Sequence, residues 1–202
     1  MWACVIWTDE SSFSAEGFGK PYVTRLPEEK YLDACCVSKF KSSSSWTIHG
    51  SISAFGKGDL VIFEKEWGRI TGTVYREHVL PFVYRFMEWV AGHPENPRKI
   101  AILMEDGASQ HTAKLTKEYH ESNGVHKMIW PANSPDLNPI ENMWRLLKHR
   151  VAKRFPHTNP EVRRCVEEEW ARLQLVDFVK YIGNMRERCQ AVIDAEGGHT
   201  KW

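Results

Sequence analysis

Charge excess, paired cysteines and long apolar runs are all missing from this chain of 202 residues. Lysine and arginine number 27 against 26 aspartates and glutamates, so the net charge of +1 provides no bulk attraction for nucleic acid or an anionic membrane. Cys4, Cys35, Cys36, Cys165 and Cys189 make an odd set without a C-x-x-C pair. That pattern excludes a zinc-ribbon module, argues against a disulfide framework and fits a reducing compartment. The opening run WACVIW soon meets Asp9 and has neither the length of a membrane span nor the flanks of an export signal. A strand beginning that close to residue 2 suggests one piece of a longer protein. With 42% hydrophobic residues the chain is not disordered, and its length suits one domain over 1–202 with one sizeable core.

What is present alternates between strands and helices. MWACVIWTDESSF has bulky and β-branched residues on both faces, as in a central strand covered by helices. Residues 14–45 read as a long connection with weak strand signals at Tyr22–Leu26 and a turn or mobile tip in KSSSSW. WTIHGSISAFGKGDLVIFE predicts a hairpin turning at residues 56–58. A helix is expected over Thr73–Val90 despite Pro81, then the linker GHPENP, the strand KIAILMED, the helix ASQHTAKLTKEYHESNG and the strand VHKMIW. Strand, helix and strand in that order predict a right-handed parallel crossover. Helices are expected over 139–154, 158–173 and 175–194, followed by a loose tail, GGHTKW, with Trp202 exposed. The fold class is therefore α/β, a mixed sheet flanked by helices with a helical C-terminal extension.

Three acids stand out. Asp9 interrupts an apolar strand, where an unpaired carboxylate is costly unless it is bonded or holds a metal; alternatively it opens the turn DESS. Glu10 faces the other side of that strand. Asp106 ends IAILMED just before Gly107, at the carboxyl end of a strand, where α/β sheets place their chemistry; a turn-forming aspartate is the plain alternative, and Glu105 competes only if the register slips. Glu141 falls at the third position of a helix that Asn138 caps and Pro139 starts, so a capping box would account for it. Capping does not account for Pro131, Pro135 and Pro139, which stiffen the approach to that helix as a site requires. Three carboxylates together would repel one another, and hard oxygen ligands suit Mg²⁺ or Mn²⁺.

WTDESSF, EDGASQHTA and WPANSPDLNPIENMWRLLK together resemble the three signature blocks of the catalytic domain of mariner-superfamily DNA transposases, the DDE superfamily endonucleases. The resemblance covers nearly the whole chain and places Asp9, Asp106 and Glu141 at the catalytic positions, with 34 residues (107–140) between the last two. It implies a ribonuclease-H-like core over 1–154 and a helical extension over 155–202, with two Mg²⁺ ions, replaceable by Mn²⁺, held by the three acids. It further implies cutting at transposon terminal repeats, joining to a TA target, a homodimer bridging two DNA ends and work in the nucleus. His111 matches a histidine found after the second acid in many members, and His111 and Asn138 are candidates to support the acids. Gly107 stands where the family usually has asparagine. The helix-turn-helix region that normally precedes this domain has no counterpart, which leaves a domesticated or inactive DNA-binding derivative as the alternative. A related nuclease acting on RNA or branched DNA would have to explain SPDLNPIE.

Between Asn142 and Arg164 lie seven basic residues, Arg145, Lys148, Arg150, Lys153, Arg154, Arg163 and Arg164, against Glu161 alone. Arg145, Lys148, Lys153 and Arg154 are the candidate contacts to DNA phosphates; a solvated surface balanced by Glu167–Glu169 is the plain reading. The tryptophans within apolar periodic segments, Trp46, Trp89, Trp130, Trp144 and Trp170, are assigned to packing.

Overall fold

The computed structural model describes residues 2–15, 26, 45–198 and 200–202. The sheet is built on β1 (Val5–Phe13), which pairs antiparallel with β2 (Trp46–Ser53) and parallel with β5 (Ile102–Met104). Two short strands, β3 (Gly56–Lys57) and β4 (Val61–Ile62), both pair with β2, giving the order β3-β2-β1-β5 with β4 also on β2. The expected strand signals at Tyr22–Leu26 and the serine run fall almost entirely outside the described residues.

Period-two alternation along β1 divides the interior in two. Val5, Trp7 and Phe13 face helices α5 (Pro139–Ala152), α6 (Asn159–Arg172), α7 (Leu175–Gly183) and α8 (Met185–Asp194), packing with Ile140, Met143, Trp144, Leu147, Trp170 and Phe178. Ile6 faces the opposite way, with Leu103, toward α1 (Gly72–His78) and α2 (Leu80–Gly92), where Tyr75, Val79, Leu80 and Val83 fill the second core. By the same parity Asp9 points to the α5 side. Glu10 points to the α1 side.

Several boundaries differ from the sequence reading, each for a local reason. The hairpin turns at Ala54–Phe55 rather than at 56–58, because the Gly58 N–H returns to the Ser51 carbonyl and the strand then breaks before β4. The helix expected over 73–90 splits at Val79, where Pro81 brings no N–H to continue the ladder. The helix after Asp106 also divides, at extended Ala113, into α3 (Ser109–Thr112) and α4 (Lys114–Ser122), and ends at Gly124 with φ +63° as the Asn-Gly pair predicts. VHKMIW contributes a parallel bridge, Lys127 to Leu103, rather than a strand. The helix expected over 175–194 breaks at Asn184 between α7 and α8. Trp202, expected to be exposed, instead packs over Arg188 with its ring 4.9 Å from the guanidinium.

Candidate functional site

Asp9 lies opposite Gly50 in the β1–β2 register. A side chain at Gly50 would meet the rings of Trp144 and Trp170 at 2.6 Å, so the missing Cβ lets two stacked indoles lie across β2. The Trp144 Nε1–H then donates to Asp9 Oδ2 at 3.0 Å, and the Glu10 backbone N–H also bonds the carboxylate. Burial, then the negative charges of Glu141 and Glu10, push the Asp9 pKa up to about 8. A carboxylate held in place yet starved of positive charge is what a cation would relieve.

Asp106 follows β5 and, among the described residues, is bonded through one oxygen. Its Oδ1 meets His111 Nδ1 at 2.6 Å and accepts the Ala108 backbone N–H at 2.9 Å. The side chain is half exposed, and Oδ2 has no hydrogen-bond partner among the described residues. His111 is buried, and its Nε2 reaches Glu10 Oε1 at 3.3 Å, so the imidazole bridges the acid pointing away from the α5 side to the acid at the end of β5. The His111 bond is the main cause of the lowered Asp106 pKa. Burial works to lower the His111 pKa, but the bonds to Asp106 and Glu10 outweigh it and raise it to about 10. The stability from this bridge is therefore full below the ordinary histidine range and is lost as pH rises through about 10.

Glu141 departs from the capping reading. Asn138 does cap α5, its Oδ1 accepting from the Ile140 N–H at 3.4 Å, but its own N–H goes to the Pro135 carbonyl at 3.0 Å. The Glu141 carboxylate accepts no hydrogen bond from a described residue. It borders a cavity of about 430 Å³ that Asp9, Asp106, Gly107, Trp130 and Asn138 also line. The Asn138 side chain donates to the Thr8 carbonyl at 3.1 Å, tying the start of α5 to the residue before Asp9, and Thr8 Oγ1 donates to the Met104 carbonyl at 2.7 Å, tying β1 to the end of β5. Three elements and three acids thus meet at one opening. As they stand, no three His, Cys, Asp or Glu side chains among the described residues converge tightly enough to ligate an ion.

Beneath Asp106 lies a group that the sequence reading treated only as a competitor. Glu105 is buried, accepting from Tyr75 Oη at 2.7 Å and Lys127 Nζ at 2.8 Å and meeting His120 Nε2 at 3.1 Å. Burial raises its pKa, but the His120 bond and the charges of His111, Lys127 and His120 prevail and lower it to about 2. Glu105 thus anchors the strand end that carries Asp106. The bonds of Trp144 to Asp9 and of Glu10 to His111 were likewise not anticipated; helical spacing and strand parity gave their faces but not their partners.

The basic stretch divides when its partners are counted. Arg150 pairs with Asp177 at 2.6 Å, Arg154 with Glu168 at 2.6 Å and Glu169 at 3.4 Å, and Arg163 with Glu64 at 2.6 Å and Glu167 at 3.2 Å. Arg145 and Lys153 are exposed and Lys148 half-buried, its ammonium 5.3 Å from the Phe13 ring, and none of the three pairs with a described carboxylate. Arg154 is therefore the least available of the four candidate phosphate contacts.

Comparison with known proteins bears directly on this arrangement. The family profile described as DDE superfamily endonuclease matches residues 4–163. The Tc1 transposase of Caenorhabditis elegans is 28% identical over 204 aligned residues, spanning all of this chain and 71% of its own length. The Tcb1 transposase of Caenorhabditis briggsae is 30% identical over 207, with the same coverage. Among solved structures, the Mos1 transposase paired-end complex superposes with a TM-score of 0.76 at 15% identity, covering 98% of this chain and 57% of that one. The isolated Mos1 catalytic domain gives 0.72 at 15%, covering all of this chain and 87% of that one. The structural likeness shows a ribonuclease-H-like fold. From the profile, the relatives and the order of elements around the three acids, the chain belongs to the DDE superfamily endonucleases, as a catalytic domain of the mariner/Tc1 transposase kind.

Proposed function

We propose that this chain acts as a divalent-metal-dependent DNA endonuclease and strand transferase, with Asp9, Asp106 and Glu141 holding Mg²⁺ or Mn²⁺. The observation that carries the proposal is the shared cavity, on which the three acids converge from β1, the end of β5 and the first turn of α5. The donor set fits hard cations, since it is all oxygen and Asp9, its pKa raised first by burial and then by the charges of Glu141 and Glu10, lacks a compensating positive charge. Two ions there would supply the Lewis acidity for water, and then a freed 3′-hydroxyl, to attack a phosphodiester. The protein's own part is orientation. Trp144 and the Glu10 N–H fix Asp9, His111 fixes Asp106 by Oδ1 and leaves Oδ2 without a partner among the described residues, and Asn138 keeps α5 against β1. Both His111 nitrogens are occupied, so its role is to hold Asp106 rather than to take a proton from water.

Related structures give the reading its biological setting. Mos1 has been seen in paired-end complexes with Mn and with Mg, and in a strand transfer complex. Together with the family resemblance, this points to transposon terminal repeats and a TA target as substrates, a homodimer on two DNA ends as the assembly and the nucleus as the setting. A plasmid-nicking assay tests the activity: cutting should require Mn²⁺ or Mg²⁺ and stop with EDTA, and cutting indifferent to EDTA would contradict it.

Phosphate contact falls to Arg145, Lys148 and Lys153 on and just after α5, the helix whose first turn carries Glu141. Lys148→Glu combined with Lys153→Glu should weaken binding to any DNA sequence alike and reduce the slope of log K against log salt by about 2. Binding measured at several salt concentrations checks this. An unchanged slope places the DNA elsewhere.

A further inference from the structure

Arg188, on α8, is wholly buried yet forms no ion pair with a described carboxylate. Its Nη1 donates to the Asp136 carbonyl at 2.7 Å, and its Nη2 donates to Asn142 Oδ1. Its Nε has no partner among the described residues, and the Trp202 ring lies against the guanidinium. The Asp136 carboxylate acts on it electrostatically without an ion pair, and a buried cation bonded only to neutral acceptors is costly, so packing alone does not explain its presence. What the two acceptors share is their position. Asp136 lies in the turn (Pro135–Leu137) that leads into α5, and Asn142 is the residue after Glu141, so the planar fork spans the segment presenting that acid. Thr200 adds a bond from Oγ1 to Asp136 Oδ2 at 2.8 Å, and Trp202 completes the cover.

We propose that Arg188, covered by Trp202, is a positioning residue that fixes Glu141 at the start of α5 by gripping the chain on both sides of it. The inference rests on the reading of Glu141 as a metal-holding acid, and two measurements separate the fate of one from the other. The first is hydrogen exchange on the metal-free chain. The amides of Leu137, Asn138, Ile140 and Glu141, all hydrogen-bonded within the segment, should lose at least about tenfold protection in Arg188→Met while those of β1 and β5 keep theirs. The second is Mn²⁺ affinity by electron paramagnetic resonance. It should fall about tenfold or more in Arg188→Met and recover most of the loss in Arg188→Lys, which keeps the charge and one of the two bonds. If Arg188→Met does not fold, Arg188→Lys and Trp202→Leu carry both measurements, each expected to loosen the same amides to a smaller degree. Wild-type protection in the variants that fold, or lost protection with wild-type Mn²⁺ affinity, overturns the proposal. If the unmodified chain binds no Mn²⁺ that Asp9→Asn removes, the metal reading of the acids fails instead. The exchange measurement then still decides whether Arg188 holds the segment.

Discussion

Asp9→Asn is expected to abolish divalent-dependent nicking, by a factor on the order of 10³ or more, while making the metal-free chain more resistant to heat. The two effects have one origin. Asp9 has a pKa near 8 in the folded chain against 3.8 as the ordinary value, so the folded state retains a proton that the unfolded state has lost. Between those values stability falls as pH rises, and above about 8 the full penalty of burying the charge beside Glu141 and Glu10 is present. Asparagine removes the charge and can still accept from Trp144, so its melting temperature should vary less between pH 5 and 8. Mn²⁺ should raise the melting temperature of the wild-type chain at pH 8 and leave that of Asp9→Asn nearly unchanged. Glu141→Gln should share the loss of nicking with a smaller gain in stability. Nicking at the wild-type rate by either variant, measured on supercoiled plasmid, would remove that residue from the chemistry.

The opposite signature belongs to Glu105→Ala. Removing a buried carboxylate leaves Lys127, His120 and the Tyr75 hydroxyl without their acceptor, a change that costs about 3–5 kcal/mol. In a chain of this size that is a fall in melting temperature of roughly 10 °C. The pH dependence provides a second check. Because the folded pKa is lowered to about 2 from the ordinary 4.5, the Glu105 contribution is full above 4.5 and lost as pH falls toward 2. Glu105→Ala should therefore show a flatter acid limb than the wild-type chain in thermal melts. Adjacent acids thus separate by consequence: Asp106 lines the cavity with Asp9, and Glu105 holds up the strand end beneath it.

How much of this was legible beforehand depended on whether the signal was local. Parity along β1 put Asp9 and Glu10 on opposite faces, and the structure agrees, because a strand in a sheet cannot rotate one residue independently. The cap at Asn138 was also readable. Its N–H was not, since it turns back to Pro135 instead of to Glu141, a choice made by the short turn before α5 rather than by the S/N-x-x-E spacing. Trp144 was assigned to an apolar stripe, and it is buried there; nothing in helical spacing says that its indole N–H meets Asp9 across more than a hundred residues of chain. Glu105 looked like part of an acidic strand end because KIAILMED does not reveal that α1 and α4 bring Tyr75 and His120 to it. Arg188 and Trp202 gave no signal. Arg188 bonds the turn before α5 and the start of α5, and the tail that reads as loose is held by contacts from another part of the chain.

Diffraction from crystals soaked in Mn²⁺, recorded at a wavelength where manganese scatters anomalously, tests the central claim most directly. The expected result is one or two anomalous peaks in the cavity between β1, the end of β5 and α5, with oxygens of Asp9, Asp106 and Glu141 at about 2.0–2.3 Å and Asp106 turned on its Oδ2 side toward the ion. Manganese found only at surface carboxylates, with Glu141 left out of every coordination shell, would contradict it.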